Sequence, residues 1–568
     1  MHFSGNLNKP LRVLLCSCFL LFCYSQPALS DNRDVAVKQT LDVLLASNRL
    51  PLLQQADFSR QSKDLTELYR LNDKKLLWLD KGRAQEDLSH ALEVLGNARA
   101  DGLNPLNYDV EHLRHCVREA VKSRQNDVQF LAACDLGLSV ALLRYIHDLH
   151  FGRIDPRSLN YPAQFGEKPA LNAVELLKRH LDQQDILKLP EAAAPKTKQY
   201  LLLKQALAEF RQQTENTEKL AKLSFSKPLH PGEYDPQLPL LRQHLLNLGE
   251  LTQEEIDKAD EAELFYDDAT KAAVIRLQQL QGIEAQGLVG KRTQAMLNQT
   301  AAEKITLIEL AMERLRWLPA QPTGPHIVVN IPAFQLWALN SPDDDAPLNM
   351  KVVVGKAEAN QTPVLWQEMR YLEFMPYWNI PQSIMDKEIL PKMRNTRSFL
   401  SKQKIELVES NANSYSEDPE DVINGIKNDR VRARQLPGDK NPLGKVKFIF
   451  PNKDNVYLHD TPFRWAFSQD RRDFSHGCVR VAEAEKLAQF VLGNQQGWDK
   501  NSIEQAMANS KTQRVNLIKS IPVLFYYNTA YAGQDKKLRF YPDIYGYDAQ
   551  LLEAFNKSSL LNKSIRLN

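Results

Sequence analysis

The chain is short of several things, and each shortage excludes a class of function. Net charge is nearly absent: Lys+Arg 72 against Asp+Glu 70 leave +2 over 568 residues. Both of those charges, Lys9 and Arg12, fall in the first 30 residues, so the rest is balanced at 70 against 70. Such a chain is poorly suited to long-range attraction by nucleic acid or an anionic lipid surface. No glycine-rich phosphate loop follows a strand, so nothing signals a nucleotide or another cofactor. Beyond residue 30 no stretch reads as apolar enough to span a bilayer. Cysteine is scarce, at six. What is there is globular composition, 43% hydrophobic and 25% charged. At ~150 residues per domain the length suggests about four domains.

Residues 1–12 carry Lys9 and Arg12, an apolar run follows from Val13 to Tyr24, and Ala28-Leu29-Ser30 offers small residues for cleavage. This is the layout of a secretory signal peptide over 1–30, with Asp31 as the first mature residue. The alternative is an uncleaved N-terminal anchor, although the run is short against the ~20 residues a span requires. Lipidation at Cys23 is disfavoured by bulky Phe22. Cys16, Cys18 and Cys23 leave with the leader, and Cys116, Cys134 and Cys478 remain. An odd number of cysteines in an exported protein asks for a reason. Cys116 and Cys134, 18 residues apart in helix-like sequence, read as buried free thiols in preference to a disulfide.

From 31 to 223 the pattern is helical, with Asp135–His150 a long amphipathic segment stopped by Gly152 and Pro156. His147 and His150 lie i,i+3 within it and read as scaffold histidines rather than metal ligands. A linker at Ser224–Pro236 leads to a small three-helix unit over 236–300. Its signals are a Leu241/Leu245/Leu248 stripe closed by Gly249, an Asp267 N-cap before Ala273, Leu277 and Leu280, and a helix from Thr293. From about Ala311 the period changes to strands: 326–331, 334–338, 350–354, 447–450, 456–459 and 523–527, with one helix over 481–492. Residues 384–435 are a polar, charged insertion, too long for a structureless loop, and read as a partly helical lid beside the site.

The chemistry concentrates in 456–480. A strand ends at His459, and fifteen residues later Ser475-His476-Gly477-Cys478-Val479-Arg480 leads into a helix. Cys478 is thus expected just before a helix N-terminus, where free backbone N–H groups favour a thiolate and an oxyanion. Gly477 permits close approach of a substrate, and His459 supplies the base of a Cys–His nucleophile pair. Zinc on His459, His476 and Cys478 competes, but no fourth ligand stands at a recognisable spacing. Tyr457 shares a strand face with His459 and is expected to line the pocket; Trp378 lines it too or is an ordinary core aromatic.

Two stretches carry family resemblances. The 241–249, 266–283 and 287–297 segments resemble the PG_binding_1 peptidoglycan-binding module, apart from the acidic stretch Thr252–Glu263. HDT at 459–461 followed by SHGCVR at 475–480 resembles the signature of YkuD-type L,D-transpeptidases, and the chain as a whole is similar to their periplasmic YcbB-like subgroup. ERLRWLP at Glu313–Pro319, PYWNIPQSI at Pro376–Ile384 and NPLGKVKFIFPN at Asn441–Asn452 support this.

The resemblance implies a multidomain chain. It would have an α-helical scaffold over 31–223, the three-helix module at 236–300, a β-rich catalytic domain at 311–535 with the 384–435 lid, and a 536–568 extension. It implies Cys478 as nucleophile, His459 as proton acceptor and donor, and a backbone carbonyl beside the histidine, at Asp460 or a neighbour, as third member. The Gly477 and Cys478 N–H groups would form the oxyanion hole. Ser475 and His476 would orient the loop, and Arg480 would secure it or meet a substrate carboxylate. The implied reaction is an acyl transfer without metal or other cofactor, in the periplasm of a Gram-negative bacterium. Cys478 takes the tetrapeptide stem of one peptidoglycan strand, releases D-Ala, and passes the acyl group to a diaminopimelate amine, giving a 3→3 cross-link. Partners would be peptidoglycan stems and other cell-wall synthesis enzymes. Hydrolysis (an L,D-carboxypeptidase) and transfer to a lipoprotein or free D-amino acids use the same site. A non-catalytic wall-binding scaffold is the reading of another class.

Overall fold

The computed structural model describes residues 28–564, apart from 81–84, 123–126, 160–162, 167, 215–219, 259–262, 396–397, 410–423, 426–427, 429–430 and 534. The first 27 residues of the expected leader, with Cys16, Cys18 and Cys23, and much of the middle of the expected lid lie outside the described residues.

The helical region is built around α1 (Val128–Phe151), which starts where the Asp127 carboxylate accepts the Gln129 and Phe130 N–H groups and stops at Gly152. This helix is long and apolar enough to cross a membrane by length and composition alone, but most of it is buried among its neighbours, Leu136, Leu138, Leu142 and Ile146 completely. Cys134 lies on α1 and Cys116 on the packed helix Val110–Lys122, and the two form a disulfide with Cα atoms 5.9 Å apart. The expectation of free thiols is therefore corrected. Consecutive packed helices bring their facing flanks to the ordinary disulfide separation, which a count of intervening residues does not reveal. His147 donates to the Asp64 carboxylate (2.9 Å) and His150 to the Pro169 carbonyl (3.1 Å), so both are tied into the scaffold.

Residues 223–298 have a core of their own, with Leu229, Leu241, Leu245, Tyr266, Val274 and Leu277 buried. The Asp267 cap forms as its sequence suggests, accepting from the Thr270 N–H at 2.7 Å. Arg242, 2% exposed, holds the unit together by donating to Thr270, Asp267 and the carbonyls of Glu263 and Phe265. The next helix, α2 (Ala301–Trp317), opens on a Thr300/Glu303 capping box and runs straight across the boundary expected at 311.

The strand region contains β1 (His326–Asn330), β2 (Gln335–Leu339), β3 (Leu348–Gly355), β4 (Val364–Phe374), β5 (Val446–Ile449), β6 (Leu458–His459), β7 (Asp473–Ser475), β8 (Val479–Val481) and β9 (Gln513–Tyr526). They pair in the order β4-β9-β1-β2-β3-β8-β6-β5, and β5 pairs back onto β4. The sheet is therefore closed and leaves no edge within that circuit. Its alternation is strict. Ile327, Val329, Leu336, Ala338, Val352, Val354, Leu458, Val479 and Val481 enter one core, while the residues between them face outward.

Two elements depart from the sequence reading. β4, the strand that closes the sheet, was hidden by its mixed Trp-Gln-Glu-Met-Arg run. The segment after Cys478 is strand β8, not a helix start; the helix α3 (Ala484–Leu492) begins later and buries Ala484, Leu487, Ala488 and Val491. Val479 and Val481 are β-branched and pair between β6 and β3, and that pairing overrides the helical period.

The insertion is a mixed subdomain. Trp378–Asn379, Ile405–Glu409 and Val431–Gln435 form a three-stranded sheet beside short helices, around Met385, Ile389, Leu390 and Val431. Trp378 packs on that small core, which favours its reading as a core aromatic. Residues beyond 535 are integral to the domain: Ile544, Tyr545, Tyr547 and Leu551 share the core of the closed sheet.

Candidate functional site

Parallel pairing of β6 with β8 sets Leu458 against Val479 and His459 against Arg480. Leu458, Val479 and Val481 point into the core, so the pleat turns Tyr457, His459, Cys478 and Arg480 together to the outer face. The motif residues thus meet because strand register places them there. The helix dipole expected behind Cys478 is absent from that position, since a strand intervenes.

His459 is 4% exposed, and its Nδ1 lies 2.5 Å from the Asp460 carbonyl. A carbonyl only accepts, so Nδ1 carries the proton and Nε2 keeps its lone pair. Burial, with the positive charges of Arg480 and Lys447, pushes the imidazole down to about 3. Burial likewise pushes the Cys478 thiol up to about 11, against contrary pulls from Tyr457 and Arg480. The resting pair is therefore neutral thiol and neutral imidazole, not an ion pair. The Tyr457 ring stands 5.7 Å from that of His459, and its phenol is raised by burial and by Cys478.

Asp460 fixes the base twice over. Its carbonyl holds His459, while its carboxylate accepts the Lys445 N–H (2.9 Å) and pairs with Arg464 (2.6 Å). Gly444 makes room for this: a Cβ there would sit 2.4 Å from the Asp460 carboxylate. Lys447, in register with His459, is paired to Glu373 at 2.6 Å.

The loop carrying the thiol is tied on both sides. Ser475 Oγ donates to the Cys478 carbonyl (2.6 Å) and accepts the Gly477 N–H (3.2 Å). That N–H, expected in an oxyanion hole, thus has a partner in this state. Gly477 adopts φ 111°, a conformation that side chains resist. His476 turns away from the thiol and pairs with Glu388 of the insertion at 2.8 Å, joining that subdomain to the loop. Arg480 stacks over Phe463 at 5.7 Å, and its buried Nε has no hydrogen-bond partner among the described residues.

Sequence reasoning missed two residues that hold this loop. Thr362, fully buried, donates from Oγ1 to the Gly477 carbonyl (2.8 Å) and accepts there the Gly355 N–H (2.8 Å). The Tyr545 hydroxyl accepts the Thr362 N–H (3.1 Å) and donates to the Gly355 carbonyl (2.7 Å). They lie 115 and 68 residues from Gly477 in the chain, and no local motif announces them.

The arrangement is chemically a protected nucleophile beside a preset acceptor. A thiol proton can pass to His459 Nε2 as sulfur attacks an electrophile, and the imidazolium can then return the proton to a leaving amine.

Residues 324–513 match the family model of the L,D-transpeptidase catalytic domain, YkuD, and residues 63–207 match that of a scaffold domain. A Haemophilus influenzae protein whose provisional name is L,D-transpeptidase is 34% identical over 257 residues, 44% of this chain and 50% of that protein. The chain thus spans about half the length of that curated relative. A crystal structure of an L,D-transpeptidase from Xylanimonas cellulosilytica (residues 123–326) aligns at 14% identity over 54% of this chain and all of that one, with a TM-score of 0.16. Residues 324–513 are thus similar to an L,D-transpeptidase catalytic domain, and residues 63–207 to a scaffold domain.

Proposed function

We propose that the protein is a cysteine L,D-transpeptidase that forms 3→3 cross-links in peptidoglycan. The observation that carries the reading is the β6–β8 register, which pairs His459 with Arg480 and so brings Cys478, two residues before Arg480, onto the face of a histidine whose tautomer is fixed by the Asp460 carbonyl. Sulfur attacks the carbonyl of the third stem residue while its proton moves to His459 Nε2. The carbon–nitrogen bond to D-Ala then breaks, and the imidazolium protonates the departing amine. The side-chain amine of a second stem attacks the thioester, loses its proton to His459, and restores the thiol.

Because the resting pair is neutral, ionisation accompanies the attack, when an oxyanion forms that backbone N–H groups can meet. Of the two expected donors, Gly477 N–H would exchange Ser475 Oγ for the oxyanion, and Cys478 N–H would join it. Transfer to an amine instead of water calls for a shielded thioester. The His476–Glu388 contact supports a lid role for the insertion. The residue 223–298 unit fits a peptidoglycan-binding module by its helix pattern, and the leader fits export to the periplasm.

Incubation of the full chain with disaccharide-tetrapeptides, read by mass spectrometry, tests the reading. Tetrapeptide–tripeptide dimers that vanish in Cys478→Ala support it. Tripeptide monomers alone mean hydrolysis, and wall binding without turnover means a scaffold.

A further inference from the structure

On the same outer face of the sheet as Cys478, beyond the segment whose Ala466 and Phe467 cover Val353, lies a second feature. Over β9, β1, β2 and β3 lies a cleft of about 590 Å³, within the size range of small-ligand sites. Its floor is sheet: Gln335 and Trp337 on β2, Asn349 and Lys351 on β3, all between core-facing neighbours. One wall is the 223–298 unit through Gln279, and another is the hairpin Ala530–Ala532/Leu538–Phe540 through Tyr531.

The cleft is built, not a gap between loose parts. Gln281 Oε1 accepts the Phe540 N–H (2.7 Å), and Arg292 pairs with Asp470 (3.6 Å), so the helical unit is tied to the catalytic domain at two places. The Trp337 and Tyr531 rings lie 5.2 Å apart and within 14° of parallel, which holds the indole still before any ligand arrives.

The charge pattern decides the ligand class. Lys198 is paired with Asp345 (2.6 Å) and Arg539 with Asp535 (2.7 Å). Arg472, 3% exposed, donates to the carbonyls of Val352, Phe334 and Gln469. Lys351 donates to the Phe467 carbonyl (3.2 Å), so two cations of the cleft are paired with carboxylates and two are tied to backbone carbonyls, which disfavours a strong anion as ligand. What is left to offer is a fixed aromatic surface and planar amides from Gln335, Asn349 and Gln279. Flat apolar faces edged by hydroxyl and acetamido groups match that offer: this is the chemistry of a saccharide.

We propose that this cleft binds a strand of β-linked N-acetylhexosamines, the glycan of the substrate, and so presents its stem to Cys478. The ligand class rests on the peptidoglycan reading above. Position fits the role. Trp337 faces Asn349 across β2–β3, and Val353 faces Arg480 across β3–β8, so Cys478 lies two strands over and six residues along. At ~4.8 Å per strand and ~3.3 Å per residue the separation is roughly 20 Å. Cys478 attacks at the third stem residue; three extended residues cover up to ~11 Å, and the sugar that carries them covers the rest.

Isothermal titration of a β-1,4-linked N-acetylglucosamine tetramer into the full chain tests the site. Wild type and Cys478→Ala are expected to bind alike. Trp337→Ala should weaken binding about tenfold or more, with Trp337→Phe in between. If Trp337→Ala loses its thermal unfolding transition, Gln335→Ala and Asn349→Ala, on the solvent side of the sheet, carry the same expectation. Failure of the wild type to bind, or full binding by these variants, overturns the proposal. Cross-linking of soluble disaccharide-tetrapeptides separates the two readings. Cross-links without saccharide binding sink the cleft alone, and saccharide binding at Trp337 without cross-links sinks the reaction alone.

Discussion

Two buried polar clusters in this chain have opposite designs. In the scaffold, Asp135 is wholly buried, yet its carboxylate accepts from the Tyr69 hydroxyl (2.6 Å) and from the N–H groups of Leu77, Trp78 and Leu79 (2.9, 2.7 and 2.9 Å). Ser139 joins it through Tyr69 and the Trp78 indole, so the network is closed. The proposed catalytic cluster is incomplete by contrast. His459 spends Nδ1 on Asp460 and keeps Nε2, Cys478 is outside any disulfide with a long contact to the Asn455 carbonyl (3.9 Å), and Arg480 Nε has no hydrogen-bond partner among the described residues. A satisfied network specifies one fold, whereas groups left with unused capacity are what a substrate can engage. The cysteines repeat the contrast: two are spent on a disulfide between scaffold helices, and the third is left as a thiol.

The contrast breaks most visibly at the thiol. Cys478→Ala is expected to lower cross-linking by about a thousandfold or more, with little change in unfolding, because no other described group can carry the acyl chain. Mass spectrometry of products alongside a melting curve checks both halves. Asp135→Ala is expected to do the reverse. Removing the acceptor leaves three buried N–H groups unanswered, and urea unfolding of the helical domain should show a loss of about 3–5 kcal/mol. Turnover per folded molecule should stay as it was. Replacing Cys116 and Cys134 together by serine should cost that domain about 2–3 kcal/mol, seen as a lower urea midpoint that reductant no longer shifts.

Legibility from sequence follows the same division. Tyr457, His459, Cys478 and Arg480 could be read because they lie within 24 residues and alternate along two short strands. The Asp267 cap and the Leu241/Leu245 stripe were legible for the same local reason. The disulfide was not, because helix packing and not chain spacing sets its geometry. Nor was β8, where strand pairing outvoted a helical period. Thr362 and Tyr545 were invisible because their role exists only once β4 closes the sheet and the C-terminal segment folds onto its core. Their removal sharpens the distinction between reactive and positioning groups. Tyr545→Phe loses the bond to the Gly355 carbonyl and leaves the Thr362 N–H unanswered, but touches neither sulfur nor imidazole. It should lower kcat about tenfold with KM unchanged, and Tyr545→Ala should be worse.

The smallest expected effect concerns His459, the group of the proposed catalytic cluster whose burial couples to stability on the acid side. His459 is held down to about 3 by burial and by the charges of Arg480 and Lys447, against an ordinary value of 6.5 in the unfolded chain. Between those two values the unfolded state binds a proton that the folded state refuses. Stability from this group is therefore fully present above pH 6.5 and is lost progressively as the pH falls toward 3. Lowering the pH from 7 to 5.5 should weaken the catalytic domain by about 1 kcal/mol through this residue alone. His459→Gln, which is uncharged at both values, should flatten that slope in urea titrations while leaving the Asp135 network untouched. An identical acid slope in the variant would mean that His459 takes up its proton in the folded state, and that the resting pair is not neutral.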